Sequence, residues 1–297
     1  INAEYGDLQE MPLHMIGLGL TPDSISLKAL NVLKTCSKIF LDAYTSILVS
    51  YEEMTQLMQT TLQRADLIQA DRDLVEKRAE DILVPALTEN VAFLVVGDVF
   101  CATTHSDLYL RAIQQKVEVK VIHNASIVNA VAASGLEIYK FGRTISVPFF
   151  EEKWRPASFL VKVAQNFALG MHSLLLMDIK THELDWKLYL KGVERYQNPR
   201  YMSCAVCCQQ IVQALAEESE DFQEAQEICG KNKFDDSVRC VACMRVGTDQ
   251  QRFICCSIRK MATLVEEMGA PLHSLVVLGN EVSEMEEEML KLWTVAE

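Results

Sequence analysis

Apolar runs of strand length alternate with segments of helical period along most of this chain. Met11 to Ile16 reads as a strand, followed by a Gly-containing loop. Ser26 to Cys36 reads as a helix, with Leu27, Leu30 and Leu33 apolar at helical spacing and Ser24 or Ser26 as N-cap. Lys38 to Leu41 is a short strand, and Tyr51 to Leu62 and Asp71 to Leu87 carry helical spacing. Asn90 to Val96 is a continuous apolar run, as a strand covered on both faces requires. Thr104 to Gln115 then reads as a helix, Glu118 to Ile122 as a strand and Ser126 to Ala133 as a helix. This βα repetition predicts a mostly parallel sheet with helices on both faces.

The order changes in the second half. Gly135 to Phe150 reads as a hinge, and Trp154-Arg155-Pro156 as the opening of a helix from Ser158. Ser173 to Met177 is strand-like and Met202 to Glu218 is a long helix. Val238 to Val246 and Arg252 to Ile258 are strands around a Gly-Thr-Asp turn; Leu272 to Leu278 is a last strand and Ser283 to Trp293 a last helix. Strands joined by so short a turn pair antiparallel. The pattern predicts two α/β domains. Residues 11–140 form a mostly parallel sheet flanked by helices, and residues 141–297 a mixed sheet with helices. A ligand cleft is expected between them, and residues 1–10 read as an upstream extension ahead of Met11.

Composition narrows the function classes. The 297 residues carry a formal charge of −13, with 41 acidic and 28 basic side chains. Such a chain lacks the bulk cationic grip that nucleic acid requires. No apolar run reaches the ~18 residues of a membrane span. No basic segment followed by an apolar stretch marks a secretory leader near the start. The 10 cysteines lack the dense spacing of a secreted scaffold, and read as reduced thiols of a cytoplasmic protein. Two acidic clusters, Glu217–Asp236 and Glu281–Glu288, read as solvated helix faces and a loop.

Candidate chemistry sits at strand ends. Gly17-Leu18-Gly19-Leu20 follows the first strand, and glycine there lets backbone approach a ligand closely. Asp42 ends the next strand, where a ribose-binding acid would sit, but a dinucleotide fingerprint needs a third glycine and finds Pro22. A strand-exit loop near an adenosine-type ligand is the better reading. Val96-Gly97-Asp98 ends the buried strand, where α/β sheets bind ligands. Thr103 and Thr104 beyond it either cap the following helix or meet ligand. Ser126, after His123-Asn124-Ala125, is either an N-cap or part of a helix terminus that receives a polar ligand group. Cys204-x-x-Cys207 and Cys240-x-x-Cys243 have zinc-like spacing. The first pair lies in a helical run without a knuckle, and the second in a strand that turns its thiols to opposite faces, so buried thiols and no metal are expected. Pro271-Leu272-His273 opens the last strand, and a lone histidine there does not by itself indicate catalysis.

Taken together and in order, these stretches resemble the diphthine synthase family, within the tetrapyrrole-methylase-like class of S-adenosylmethionine-dependent methyltransferases. The matching text includes Ile16-Gly-Leu-Gly-Leu20, Ala43-Tyr-Thr-Ser46, Ala92-Phe-Leu-Val-Val-Gly-Asp98, Ala102-Thr-Thr-His-Ser-Asp107 and Val121-Ile-His-Asn-Ala-Ser-Ile127. Further on it includes Tyr139-Lys-Phe-Gly142, Trp154-Arg-Pro156, Gly170-Met-His172, Asp178-Ile-Lys180, Pro199-Arg-Tyr-Met-Ser203, Arg245-Val-Gly247 and Pro271-Leu-His-Ser-Leu275. The resemblance implies a homodimeric enzyme that methylates a histidine of translation elongation factor 2 already carrying a 3-amino-3-carboxypropyl group. In the eukaryotic form, which is most similar, three methyls go to the amine and one to the carboxylate. By motif position it implies donor contacts at Leu20, Asp98, Cys101, Ser126, Ile127, Met177, Val246 and His273, with no metal. No residue is implied as the proton acceptor. The chain departs from the family pattern at Val99, at Cys101 and in the loop Thr21-Pro22-Asp23. The alternative reading is a divergent copy that binds donor or elongation factor without turnover.

Overall fold

The computed structural model describes residues 11–44, 51–181, 183–217 and 219–296. The extension ahead of Met11, and Thr45 and Ser46 of the Ala43–Ser46 motif, lie outside the described residues. The strands are β1 (Leu13–Gly17), β2 (Lys38–Asp42), β3 (Leu67–Ala70), β4 (Val91–Val95), β5 (Val119–Ile122), β6 (Ile145–Val147), β7 (Ser173–Met177), β8 (Ile179–Lys180), β9 (Arg200–Tyr201), β10 (Arg239–Met244), β11 (Arg252–Ser257) and β12 (His273–Val277). The α-helices are α1 (Leu27–Leu33), α2 (Tyr51–Leu62), α3 (Arg72–Lys77), α4 (Glu80–Leu83), α5 (Ser106–Gln114), α6 (Ile127–Ala130), α7 (Ser158–Ala168), α8 (Trp186–Tyr189), α9 (Cys204–Ala216), α10 (Glu220–Cys229), α11 (Ile258–Met261) and α12 (Glu284–Lys291). The chain divides into two compact units, one ending at Val128 and one beginning at Asn129.

In the first unit five strands run parallel in the order β3-β2-β4-β1-β5. β4 lies inside the sheet and shows why its sequence is apolar throughout. Val91, Phe93 and Val95 enter one core with Leu74, Ile82, Leu83 and Leu108 of the helices on that side. Ala92, Leu94 and Val96 enter a second core with Ala29, Leu33, Met54 and Met58 of α1 and α2. Both faces are therefore covered, as the alternation of strands and helices predicts. Ser26, not Ser24, caps α1: its hydroxyl accepts from the Ala29 N–H at 3.1 Å.

The second unit holds the order β11-β10-β12-β7-β6, antiparallel except for the β6–β7 pair. Its main core places Cys240, Ala242 and Met244 against α7 and α9. The opposite face is closed from the chain's end, where the Trp293 ring lies 5.2 Å from Phe253 and Cys255 N–H donates to the Trp293 carbonyl.

Three expectations need correction. The helical spacing of 71–87 is broken into α3, α4 and a 3-10 turn at Pro85–Leu87, because Arg78 leaves helical dihedrals and Pro85 lacks an amide hydrogen. The stretch read as a hinge contains β6, which pairs parallel with β7. The helix expected from Ser126 to Ala133 is a four-residue α6 that tightens into a 3-10 turn at Val131–Ser134.

Candidate functional site

The parallel register places the exits of β1, β4 and β5 side by side. Gly19 and Gly97 exchange backbone bonds of 3.0 and 2.8 Å across the two exit loops. The approach is close enough that a Cβ at Gly17 would stand 2.7 Å from the Gly97 carbonyl oxygen, and one at Gly19 would stand 2.6 Å from Ser24 Cβ. A Cβ at Gly97 would point at Ser126 and meet its Cβ at 3.6 Å, an ordinary contact. Gly19, Gly97 and Ser126 thus lie close together at the carboxyl end of the sheet, where open α/β sheets bind ligands.

Asp98 ties this spot together. Its Oδ1 accepts from the Phe100 N–H at 3.1 Å. Its Oδ2 accepts from the Asn124 N–H at 3.1 Å and pairs with His123 Nδ1 at 2.9 Å. Burial pushes the Asp98 carboxyl up, but the bonds from Phe100, His123 and Asn124 outweigh it and hold the group below its ordinary value. A carboxylate offers about four acceptor positions. With three filled, Oδ1 keeps one for a ligand donor. Asn124 completes the latch by donating from its side chain to the carbonyls of Gly17 at 3.1 Å and Ser24 at 3.0 Å. Leu20 and Cys101 are half-buried in the exit loops of β1 and β4, Ser126 is buried, and Ile127 is half-buried at the start of α6. Ser126 accepts from the Val128 N–H at 3.3 Å, two residues on rather than three. With α6 one turn long, it is not the extended helix terminus expected to receive a polar ligand group.

In the second unit the other three donor candidates gather at one end of the sheet. His273 pairs with Met244 across β12 and β10, and the β12–β7 register, carried two residues on, sets Met177 opposite His273. Val246 is buried just beyond β10, where Arg245 N–H donates to the Leu272 carbonyl at 2.8 Å. His273 Nε2 donates to the Ala270 carbonyl at 2.8 Å, which leaves Nδ1 as the ring's acceptor. Burial lowers its pKa and favours this neutral form.

Asp42 is not a ribose-facing acid. Its carboxylate turns inward, where Oδ2 meets His105 Nε2 at 3.1 Å in a pair with no solvent exposure, while Oδ1 accepts from the Tyr44 N–H at 3.1 Å. Neither threonine side chain caps α5. Thr103 donates to the Val99 carbonyl at 2.6 Å, and Thr104 shares a 3.1 Å bond with the Tyr44 hydroxyl. The cysteines behave as buried thiols: Cys204 donates to the Ser274 carbonyl at 3.3 Å, and burial pushes the Cys204, Cys207, Cys208 and Cys243 thiols up. Among the described residues no group of three His, Cys, Asp or Glu side chains is arranged to hold a metal ion. Reading the sequence did not single out His123, Asn124 and the Asp42–His105 pair for these roles. The available signal was their position inside the strand-end motifs.

Known proteins resemble this chain over nearly its whole length. The family model for tetrapyrrole (corrin/porphyrin) methylases matches residues 12–262. A diphthine methyl ester synthase of Kluyveromyces lactis is 44% identical, covering 94% of this chain and 88% of its own length. That of Homo sapiens is 42% identical, covering 96% of each chain. A crystal structure described as diphthine synthase superposes with a TM-score of 0.75 at 25% identity, covering 95% of each chain. With matches of this depth over nearly its whole length, the chain belongs to the tetrapyrrole methylase family and, within it, to the diphthine methyl ester synthases.

Proposed function

We propose that this methyltransferase of diphthamide biosynthesis draws its methyl groups from S-adenosylmethionine and delivers them to a modified histidine of translation elongation factor 2. The receiving group is 3-amino-3-carboxypropyl, with three methyls on its amine and one on its carboxylate. The observation that carries the reading is the 42% identity with the Homo sapiens diphthine methyl ester synthase over 96% of both chains.

The residues at the strand ends fit the donor. Its adenosine and methionine parts are rich in hydroxyl and amine hydrogens, and Asp98 keeps one acceptor position on a buried carboxylate. The amides and carbonyls of Gly19 and Gly97 bond to each other and hold the two exit loops in place around it. On this reading the donor contacts are those the motifs imply: Leu20, Asp98, Cys101, Ser126, Ile127, Met177, Val246 and His273. When bound, the donor supplies an electrophilic methyl on a sulfonium. The protein's own work is alignment and exclusion of water, which account for roughly 7–11 kcal/mol of a barrier when two reactants are held in near-attack geometry. Neutral His273 suits such a site, because it adds no positive charge beside a cationic donor.

The reading also makes the enzyme a homodimer of the cytoplasm. The 10 cysteines, all free thiols, fit a reducing compartment, and among the described residues no helix is long and apolar enough to cross a membrane. The direct experiment incubates the protein and S-adenosylmethionine with elongation factor bearing the unmethylated aminocarboxypropyl histidine. Mass spectrometry is expected to find four added methyl groups. A factor of unchanged mass, with no heat of donor binding in calorimetry, overturns the proposal.

A further inference from the structure

At the loop between β4 and α5 that carries Cys101, the first unit holds a second polar group. Tyr44 follows β2, and its hydroxyl lies 3.1 Å from that of Thr104, in that loop. The ring is fixed from below. Asp42 accepts from the Tyr44 N–H, and the buried His105 ring stands edge-on to Tyr44 at 5.9 Å. Arg72 places its guanidinium 5.8 Å from the ring centre.

Two hydroxyls facing each other own two hydrogens, and their mutual bond uses one. Among the described residues the second hydrogen meets no acceptor, and Thr104 is exposed to solvent. Burial raises the Tyr44 pKa, so the group remains a donor at neutral pH. Arg72 adds positive charge: its partner Glu76 takes only the Nε edge, at 3.0 Å, and two-thirds of the Arg72 side chain is open to solvent. The other nearby carboxylate, Asp42, is fully enclosed with His105. A spare O–H on a ring covered by an open guanidinium, with the neighbouring acids already engaged, suits a small anion, and a carboxylate can accept from both kinds of donor.

We propose that Tyr44, Thr104 and Arg72 form the subsite that grips the carboxylate of the substrate's aminocarboxypropyl group and so sets specificity for the modified histidine. The inference rests on the function proposed above and names residues outside the family's donor contacts. The Asp42–His105 pair is a positioning device beneath it.

The test uses the full chain and modified elongation factor. Tyr44→Phe keeps the ring and removes the hydroxyl. Its KM for elongation factor is expected to rise about tenfold, the loss of one hydrogen bond to a charged group, with donor affinity in calorimetry and thermal stability unchanged. Arg72→Gln is expected to raise KM likewise, and Arg72→Lys to restore most of it. Parent-like KM in both Tyr44→Phe and Arg72→Gln overturns the subsite, as does a loss confined to donor binding. The proposal of function fails differently, since the parent enzyme itself then leaves the factor unmethylated.

Discussion

Asp98 shows how much one side chain is asked to do. Its motif marks it as a donor contact, but in the fold it also accepts from the amides of Phe100 and Asn124 and so joins the exits of β4 and β5. Asp98→Ala is therefore expected to do two things: weaken S-adenosylmethionine binding about tenfold or more, and lower stability by about 1–3 kcal/mol through two amides left without an acceptor. Calorimetry and denaturant titration separate the effects, and a variant with parent donor affinity counts against the assignment. The glycines make a graded set. Gly19→Ala meets Ser24 at 2.6 Å and also has a positive φ of 80°, whereas Gly97→Ala has the same φ but 3.6 Å of room. Gly97→Ala is expected to cost about 1 kcal/mol from backbone strain alone, and Gly19→Ala clearly more. Equal midpoints in urea for the two variants contradict this. Gly19, Gly97 and Asp98 were legible in the sequence because strand-end glycine and acid are local signals. Asn124 and His123 as the partners of Asp98 were not, because that pairing depends on β1 lying between β4 and β5.

At the scale of elements, apolar periodicity located most of the longer strands and helices within a few residues, though not α10, whose acidic sequence shows little apolar period. Tyr51–Leu62 and Ser173–Met177 appear with the bounds their pattern implies. It failed where an element is short and held by its neighbours. β3 and β6 have four and three residues, too few to show a period, and exist through pairing with β2 and β7. The cysteine pattern was legible because of strand geometry. Cys240 and Cys256 enter the core shared with α9, while Cys243 and Cys255 are buried on the other face. Burial pushes the Cys36 and Cys255 thiols up to about 11, and Cys101 alone of the 10 cysteines is not buried. A thiol reagent on the native protein is thus expected to modify one cysteine quickly, Cys101, and the rest only on unfolding. Protection of Cys101 by added S-adenosylmethionine is expected if it borders the donor. Several fast-reacting thiols in the native state contradict the burial described here.

On the scale of the whole molecule, an acidic chain is expected to tolerate mild acid well, since protonation reduces its charge of −13. One buried cluster opposes that trend. His172 Nδ1 accepts from the Gly279 N–H at 3.0 Å, which leaves Nε2–H to donate to Glu286 at 2.9 Å. Glu286 also accepts from the Glu137 and Ser283 amides and from Lys140, joining α12 to the segments around Lys140 and His172. Burial raises the Glu286 pKa, but its four partners more than reverse this and bring it to about 2, from 4.5. Burial lowers the His172 pKa more than Glu286 raises it. In both cases the unfolded chain binds the proton more readily. The His172 contribution is complete above 6.5 and is lost as pH falls towards its folded value. That of Glu286 is complete above 4.5 and is lost between there and about 2, a change of about 3 kcal/mol. Denaturant midpoints are therefore expected to fall below pH 6.5 as the His172 share is lost, and again from pH 4.5 towards pH 2 as the Glu286 share is lost. Glu286→Gln, already weakened at neutral pH, is expected to lack the fall below pH 4.5 and so to converge on the parent near pH 2. Parallel profiles would mean that this cluster does not govern the acid response and that relief of the overall negative charge does.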